Sequence, residues 1–435
     1  MRLSLSLAIV DMTSNLAATK NSTQFECYYY NSSQSSHKGT YNWSETTQSW
    51  VLSSFYFGYT AFMCLLYTSA DYIGGRLAVF VAVFGTSILT ILTPLFASIN
   101  VYLFMSARVL EGVVESPFFL GVGILVNKWA LSVENTTFTS IALSGSYLGF
   151  IIFQPLTGFL CSLSFLDGWP LGFYIYGVLG IIWSIFWLFL VTESPQNSNF
   201  LTEKEKRILS PQSITQKMDF RQIPWRKIIT CKPLWGVCIA EIGLSLNSGL
   251  IMNCLPTFLS NVLGVDIQSN GWLNAIPYII SLFGYLLSSV LVDLARESFM
   301  SLKQARRGVF ILGSILCAAF GFVIKAAGCN SLIVIMIVSI SLCFQSCGVS
   351  QLVPNVMELF PICTGLMYSI LNTVANGMGL ISPYIVDIFT EGHIESAEHW
   401  QHAFSFASIC TIVAAFIYSV LISTTPIEWA RYNKE

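Results

Sequence analysis

The sequence predicts an all-α membrane protein whose helices fall into two halves. Of its 435 residues, 54% are hydrophobic and only 10% are charged, whereas soluble proteins carry about 25% charged residues. The apolar residues gather in segments of about 20, the length of a helix that spans a bilayer. A basic, polar stretch separates these segments near the middle of the chain. The formal net charge of −2 gives no support to a nucleic-acid partner.

Eleven apolar segments are long enough to cross a membrane as helices. They lie near 48–70, 77–98, 101–126, 138–162, 171–192, 234–259, 271–293, 308–328, 331–353, 363–389 and 402–424. A twelfth candidate, RLSLSLAIVDMTS at 2–14, is too short for a full span. It is either a signal peptide or the second half of a first transmembrane helix.

Two polar regions set the predicted topology. Residues 19–47 hold N-glycosylation sequons at Asn21, Asn31 and Asn42, which are typical of an exoplasmic loop. Residues 193–233 contain TEKEKR and PWRK, and we expect them to form a cytosolic linker. Sixteen of the 21 Lys and Arg residues then lie on the cytosolic side and three in exoplasmic loops, as the positive-inside rule requires.

This topology divides the chain into three parts. We expect residues 1–192 to form one six-helix half and 234–435 to form the other, with the linker 193–233 between them. Both termini are then cytosolic. Two six-helix halves around such a linker are typical of secondary transporters that bind a solute at the midplane between the halves.

The fourth span carries the most informative pattern, a cluster of three charges in RVLEGVVE. Arg108, Glu111 and Glu115 are spaced by three and four residues and share one helical face. A charge at bilayer depth costs at least about 2.5–3.5 kcal/mol, so the cluster must face a bundle interior or a water-filled path. The pattern predicts a solute or ion pathway; the alternative is a structural ion pair that fixes helix packing.

Several motifs resemble those of solute carrier family 17, the anion transporters within the major facilitator superfamily. They include RVLEGVVE in the fourth span, SGSYLGFIIFQPLTGFL in the fifth, GWPLGFYIYGVLGIIWSIFWLFLVTESP in the sixth and EHWQHAFSFASI in the twelfth. The resemblance covers nearly the whole chain and is strongest to sialin-like and sodium/phosphate-type members. It implies the superfamily fold, two six-helix halves around a central cavity.

The resemblance also implies a function and a site. Such carriers move small organic anions, such as sialic-acid-like acidic sugars, glutamate, urate or phosphate, by alternating access with protons or sodium as the coupling ion. No other cofactor is implied. The matching positions are Arg2 and Arg108 for the substrate carboxylate, Tyr59 and Asn372 for the cavity wall, and Glu111 and Glu115 for proton coupling. An arginine fork suits a carboxylate and stays charged at any working pH.

The loop after the second span departs from the superfamily pattern Gly-x-x-x-Asp-Arg-x-Gly. Here Tyr67 and Tyr72 replace the leading glycine and the arginine, whereas Asp71 and Arg76 are retained. The resemblance assigns Asp71 and Arg76 to the cytosolic gate, with Glu358 in NVMELFP as its counterpart in the second half. We expect the two tyrosines to alter gating.

Three further departures concern the first helix and the substrate. The chain starts one residue before Arg2, so we expect a first helix that is truncated at its N-terminus. Leu52 and Leu244 stand where glutamate transporters carry a histidine and an arginine, which argues against a vesicular glutamate carrier. Gly123 replaces a histidine of the fourth span, which leaves carboxylates as the proton carriers.

The remaining polar residues suggest no enzyme and no metal site. We find no GxSxG, HExxH or phosphate-binding loop, and the twelve cysteines are scattered singly. Cys27 and Cys329 fall in predicted exoplasmic loops and form a candidate disulfide pair. Glu241, near the start of the seventh span, fits an ordinary interfacial acid. We expect a monomer in a lysosomal, vesicular or plasma membrane; the alternative function is a transport-dead relative or truncated isoform that acts through partners.

Overall fold

The computed structural model describes residues 4–13, 39–130, 135–163, 165, 168–198, 200–209, 224–297, 300–361 and 363–430. Within these ranges the chain is helical and contains no strand, which confirms the all-α prediction. The helices of the first half are α1 Ser4–Met12, α2 Glu45–Ile73, α3 Gly75–Ile99, α4 Val101–Glu115, α5 Phe118–Trp129, α6 Asn135–Cys161 and α7 Trp169–Leu190.

The remaining helices belong to the linker and the second half. Two short ones, α8 Glu203–Leu209 and α9 Trp225–Ile229, lie in the linker. The long ones are α10 Lys232–Asn261, α11 Ile267–Glu297, α12 Leu302–Gly321, α13 Ser331–Leu359, α14 Thr364–Thr390 and α15 Ala397–Leu421.

Seven helical stretches of the described chain are long and apolar enough to cross a membrane. They are α3, α4 together with α5, α7, α10, α11 as far as Ser288, α13 and α15. Four other helices, α2, α6, α12 and α14, are 20 to 29 residues long but are not among the seven.

The fourth span is broken near its middle. It was predicted as one helix over 101–126, but α4 ends at Glu115 and α5 starts at Phe118. Proline has no N–H to donate to the carbonyl of Val113 one turn earlier, and the Ser116 hydroxyl donates to that carbonyl instead at 2.8 Å. Pro117 therefore ends α4, and the charge cluster lies on α4 alone.

Helices pack mainly within each half. In the first half α3 packs against α4, α5 and α7, and α2 packs against α4. In the second half α10 packs against α14 and α15, while α13 packs against α11 and α12. The halves meet chiefly along two helix pairs, α2 with α14 and α6 with α11, and α1 contacts both α6 and α10.

The halves are closed against each other on the side predicted to be exoplasmic. Ser49 and Ser53 of α2 donate to the carbonyls of Pro383 and Leu380 on α14, at 3.2 and 2.8 Å. Gly158 and Gly271 allow α6 and α11 to touch, since a Cβ at Gly271 would lie 2.7 Å from the carbonyl oxygen of Gln154. Substrate access on this side therefore requires these contacts to separate.

Pro383 explains why a polar network forms at this closure. A proline at position 383 cannot donate to the carbonyl of Gly379, one turn earlier. The amide Nδ2 of Asn253 on α10 lies 3.4 Å from that carbonyl oxygen and 3.1 Å from Ser382 Oγ. Tyr56 of α2 donates to Asn253 Oδ1 at 3.0 Å. Asn253 thus joins α10, α14 and the first half.

Candidate functional site

A cavity of about 320 Å³ lies between the halves. Its walls come from α5 and α6 of the first half and from α10, α11, α13 and α14 of the second. The volume falls at the lower end of small-molecule sites. Its polar lining consists of hydroxyls, amides and one carboxylate. The larger members are Tyr147, Tyr278, Tyr285, Tyr368, Gln345, Asn372 and Glu241.

Glu241 is the one charged residue among the described residues that line this cavity. It lies on α10 and only 7% of its surface is exposed. Ser245, one turn further along the same helix, donates to Glu241 Oε1 at 2.7 Å. The sequence suggested that Glu241 is an ordinary interfacial acid, but it lies nine positions after the first residue of α10, Lys232, and lines the cavity.

Arg108 and Glu111 form an ion pair inside the first half. They are 1% and 2% exposed, and neither lines the cavity described above. Thr93 and Thr90 of α3 place their hydroxyls 3.3 and 3.5 Å from Glu111 Oε1. The pair thus faces the bundle interior, which was one of the two environments expected for the charge cluster.

Two glycines allow α2 and α4 to enclose this pair. A Cβ at Gly112 would lie 2.1 Å from the carbonyl oxygen of Phe55, and a Cβ at Gly58 would lie 2.0 Å from that of Val109. The close approach places the Phe55 ring 5.5 Å from the Arg108 guanidinium carbon. Such a geometry permits a cation–π contact.

Glu115, the third member of the charge cluster, is half-buried at the C-terminus of α4. It is not among the lining residues of the cavity. The carboxylates of Glu111 and Glu115 therefore lie on one helix face, as the spacing predicted, but away from the described cavity wall.

Tyr59 and Asn372, predicted to line the cavity, lie on opposite halves. Asn372 of α14 lines it, whereas Tyr59 of α2 is completely buried. The Nδ2 atom of Asn372 lies 3.5 Å from the Tyr59 hydroxyl, so the two residues connect α14 to α2. Asn372 also accepts from Asn376 at 2.7 Å.

Arg76, a predicted gate residue of the first half, lies beside a carboxylate that we did not single out from the sequence. Glu193, just after α7, accepts from the backbone N–H groups of Gly75 and Arg76 at 3.0 and 2.8 Å. It also pairs with Lys128 of α5. Partial burial raises the pKa of Glu193, but the Lys128 ammonium and the two N–H groups outweigh it and hold the pKa below its ordinary value.

Backbone geometry explains why α3 begins at this carboxylate. Gly74 has a φ of +89°, and a Cβ there would lie 2.9 Å from the Glu193 carboxyl group. The first N–H groups of a helix have no partner within the helix and attract anions. The Arg76 guanidinium donates to the carbonyl of Leu188 on α7. The Asp71 side chain lies outside the described residues.

Glu358, the predicted gate residue of the second half, is held within that half. Arg306 of α12 donates to its two carboxylate oxygens at 2.5 and 2.7 Å. The bidentate pair ties α12 to the end of α13. Gating by Glu358 stays a prediction.

Several predicted positions fall where the structure gives no account. Arg2, Asn21, Asn31 and Cys27 lie outside the described residues, whereas Asn42 is exposed in the segment before α2. Cys329 is disulfide-bonded, and nine other described cysteines are free. Within the described ranges, no group of three or more His, Cys, Asp or Glu side chains is arranged to hold a metal ion.

Comparisons with known proteins agree on one family. The model of the Major Facilitator Superfamily matches residues 16–383. Sialin from Ovis aries is 29% identical over 439 residues, which cover 99% of this chain and 87% of sialin. Vesicular glutamate transporter 2 from Bos taurus is 26% identical over 99% of this chain and 72% of its own length.

A solved structure has the same fold. It is a bacterial homologue of the human lysosomal transporter Spinster in an inward-facing, unoccupied conformation. The TM-score is 0.69 at 14% sequence identity, and the match covers 97% of this chain and 95% of the other. At this identity the likeness concerns the fold alone.

Proposed function

Because the chain belongs to the Major Facilitator Superfamily, we propose that it is a secondary active transporter of small organic anions. It would move them by alternating access, with protons or sodium as the coupling ion. Its relatives are membrane transporters and not enzymes. The anionic substrate class is supported by the motifs shared with solute carrier family 17 and by a relative that is named a glutamate transporter.

The observation that carries the proposal is the cavity between the halves. It holds about 320 Å³, and it lies where transporters of this architecture bind their solutes. Contacts of Ser49 and Ser53 with α14, and of Tyr56 with Asn253, close it on one side. Its hydroxyl and amide groups can donate to a carboxylate or a sugar hydroxyl. A sialic-acid-like acidic sugar or an amino-acid anion is the substrate class that we propose.

The role of Arg108 requires a second conformation. In the present structure Glu111 neutralises it inside the first half, so the arginine would reach a substrate carboxylate only after the pair separates. Direct binding by Arg108 and proton coupling by Glu111 and Glu115 therefore stay predictions. The proposed membrane is vesicular, lysosomal or plasma membrane, with both termini cytosolic and the protein a monomer.

Uptake into proteoliposomes tests the proposed function. Labelled sialic acid, glutamate, urate and phosphate would each be offered with an imposed proton gradient, sodium gradient or membrane potential. Ala375→Trp places an indole in the cavity wall and should abolish uptake of the transported anion. Val178→Trp, at a position of α7 that is 49% exposed, is the matched control and should leave uptake unchanged.

Each outcome has a defined meaning. Uptake that needs a gradient and is blocked by Ala375→Trp alone would support the proposal. No flux of the four anions under the three conditions would contradict it and favour a transport-dead relative that acts through partners. The sequence feature that supports this alternative is the departure at Tyr67 and Tyr72, which lie in the last turns of α2.

A further inference from the structure

The carboxylate of Glu241 lies in the middle of the proposed substrate path without a cationic neighbour among the described lining residues. It is nine residues into α10, which corresponds to about 14 Å along a helix. Only 7% of its surface is exposed, and its described hydrogen bond comes from the neutral hydroxyl of Ser245. An ionised carboxylate in such a place is costly unless it is paired.

The groups that face Glu241 from the surrounding helices are neutral at physiological pH. Tyr147 of α6, Tyr278 and Tyr285 of α11 and Tyr368 of α14 line the same cavity, and Cys238 precedes Glu241 by three positions on its own helix. Phenols and thiols ordinarily titrate above about pH 8. On α13 and α15, Gln345 and Thr411 donate to the carbonyls of Leu244 and Gly243 beside it.

This situation differs from that of the other buried acid. Glu111 has Arg108 as its ion-pair partner and two threonine hydroxyls nearby. A proton added to Glu111 would break this buried ion pair, which is unfavourable. A proton added to Glu241 would instead remove the one charge of the described cavity lining.

An anionic substrate would bring a second negative charge into the same cavity. Two carboxylates that share a dry site cannot both be ionised at low cost, so one of them takes up a proton. Binding of the anion and protonation of Glu241 therefore favour each other, and this coupling is reciprocal. Ser245 can serve both states, because a hydroxyl can donate to a carboxylate and accept from a carboxylic acid.

From these observations we propose that Glu241 binds the coupling proton, so that one proton enters the cavity with each anion. The inference rests on the proposed transport of an organic anion, and it adds a proton-binding residue that the sequence motifs do not contain. In the state open to the acidic side, Glu241 is protonated and the anion binds; release of the proton to the neutral side then expels the anion.

The transport test separates coupling from binding. Wild type and Glu241→Gln would be compared in two assays with labelled sialic acid and labelled glutamate: accumulation driven by a proton gradient, and exchange across a membrane without a gradient. Glutamine mimics the protonated acid. We expect Glu241→Gln to retain exchange but to lose accumulation above the external concentration. Glu241→Asp should restore part of the accumulation, and Glu203→Gln, which alters an exposed carboxylate of α8, should change neither assay.

Ser245→Ala gives a readout that a structural role would not produce. The hydroxyl donates to Glu241 and so favours the ionised form. Its removal should shift the pH profile of proton-driven accumulation to higher pH. An unchanged profile in Ser245→Ala, or full accumulation by Glu241→Gln, would overturn the assignment while leaving anion transport itself intact.

An infrared titration tests proton binding without a substrate. The carbonyl band of a protonated carboxyl group should titrate in the reconstituted wild-type protein and be absent from Glu241→Gln. If the wild-type protein transports neither labelled sialic acid nor labelled glutamate, the proposed function fails, and the infrared titration alone tests the inference. A spectrum that is the same in both proteins would then refute proton binding at Glu241.

Discussion

Removing one member of the Arg108–Glu111 pair should cost more stability than removing both. In Glu111→Gln the guanidinium, which is 1% exposed, stays inside the first half without its carboxylate. Breaking a buried ion pair in this way destabilises proteins by about 3–5 kcal/mol, whereas replacement of both partners by apolar residues is often neutral. We therefore expect Glu111→Gln to lose about 3–5 kcal/mol and Arg108→Met with Glu111→Leu to recover most of it.

The neighbours of the pair favour this recovery. Thr90 and Thr93, which face Glu111, also donate to the carbonyls of Thr86 and Leu89 in their own helix. Their hydroxyls therefore keep a partner when the carboxylate is removed. The Phe55 ring that faces the guanidinium carbon offers an apolar surface to a methionine side chain.

A double-mutant cycle measured by reversible unfolding in detergent tests this reasoning. The chain supplies a matched control in Glu203 and Lys206, a pair with the same three-residue spacing but with Glu203 81% exposed. Exposed pairs contribute little, so Glu203→Gln should change stability hardly at all. If Glu111→Gln is as stable as wild type, or if the double variant is as unstable as the single one, the buried pair does not stabilise the first half as described.

Three further predictions concern packing, pH and closure. Gly112→Ala should destabilise the protein by about 1–3 kcal/mol or more, because a Cβ there would lie 2.1 Å from a backbone oxygen of α2. Gly123→Ala, whose Cβ would meet nothing within 4 Å, should stabilise α5 by about 0.5–1 kcal/mol. Thermal melting of the two variants would show whether the close contact decides the sign of the stability change. Glu193 has a lowered pKa, so its contribution to stability is complete above the ordinary pKa of about 4.3 and is lost as the pH falls through the lowered value. Glu193→Gln should therefore weaken the fall of the melting temperature at acidic pH. An unchanged fall would contradict the stabilising role of its hydrogen bonds. Asn253→Leu removes the acceptor of the Tyr56 hydroxyl, a hydrogen bond between the halves worth about 0.5–1.5 kcal/mol, and also the bonds that hold α10 against α14. It should raise labelling of a cysteine placed at Ala375, by an impermeant thiol reagent added on the predicted exoplasmic side, by up to about tenfold. Equal labelling would mean that this network does not hold the halves together.

The helices follow directly from the sequence because hydrophobic segments of bilayer length have few alternatives to a helix. The break at Pro117 could also have been predicted, since a proline in the middle of an apolar segment ends or kinks a helix. The three-dimensional position of the charge cluster was predictable only in part. Its common helix face follows from the spacing, but whether that face meets the cavity or a neighbouring helix depends on Gly58 and Gly112, whose effect requires the packing of α2 against α4.

Glu241 illustrates what a hydrophobicity pattern misses. The apolar segment appeared to start at residue 234, which placed this acid close to the membrane surface. The helix starts at Lys232, and Glu241, nine positions later, lies in the cavity wall. The segment KPLWGVCIAE held a usable signal, because proline favours the first turn of a helix and so marks the true beginning of α10.

The position of Glu193 gives the linker a mechanical significance. This residue precedes α8 by ten positions, yet its side chain holds the first turn of α3 and the end of α5, and Arg76 joins the same point to α7. Three helices of the first half are thus fastened to the place where the linker leaves the membrane. A displacement of the linker at Glu193 would therefore be transmitted to α3, α5 and α7 together.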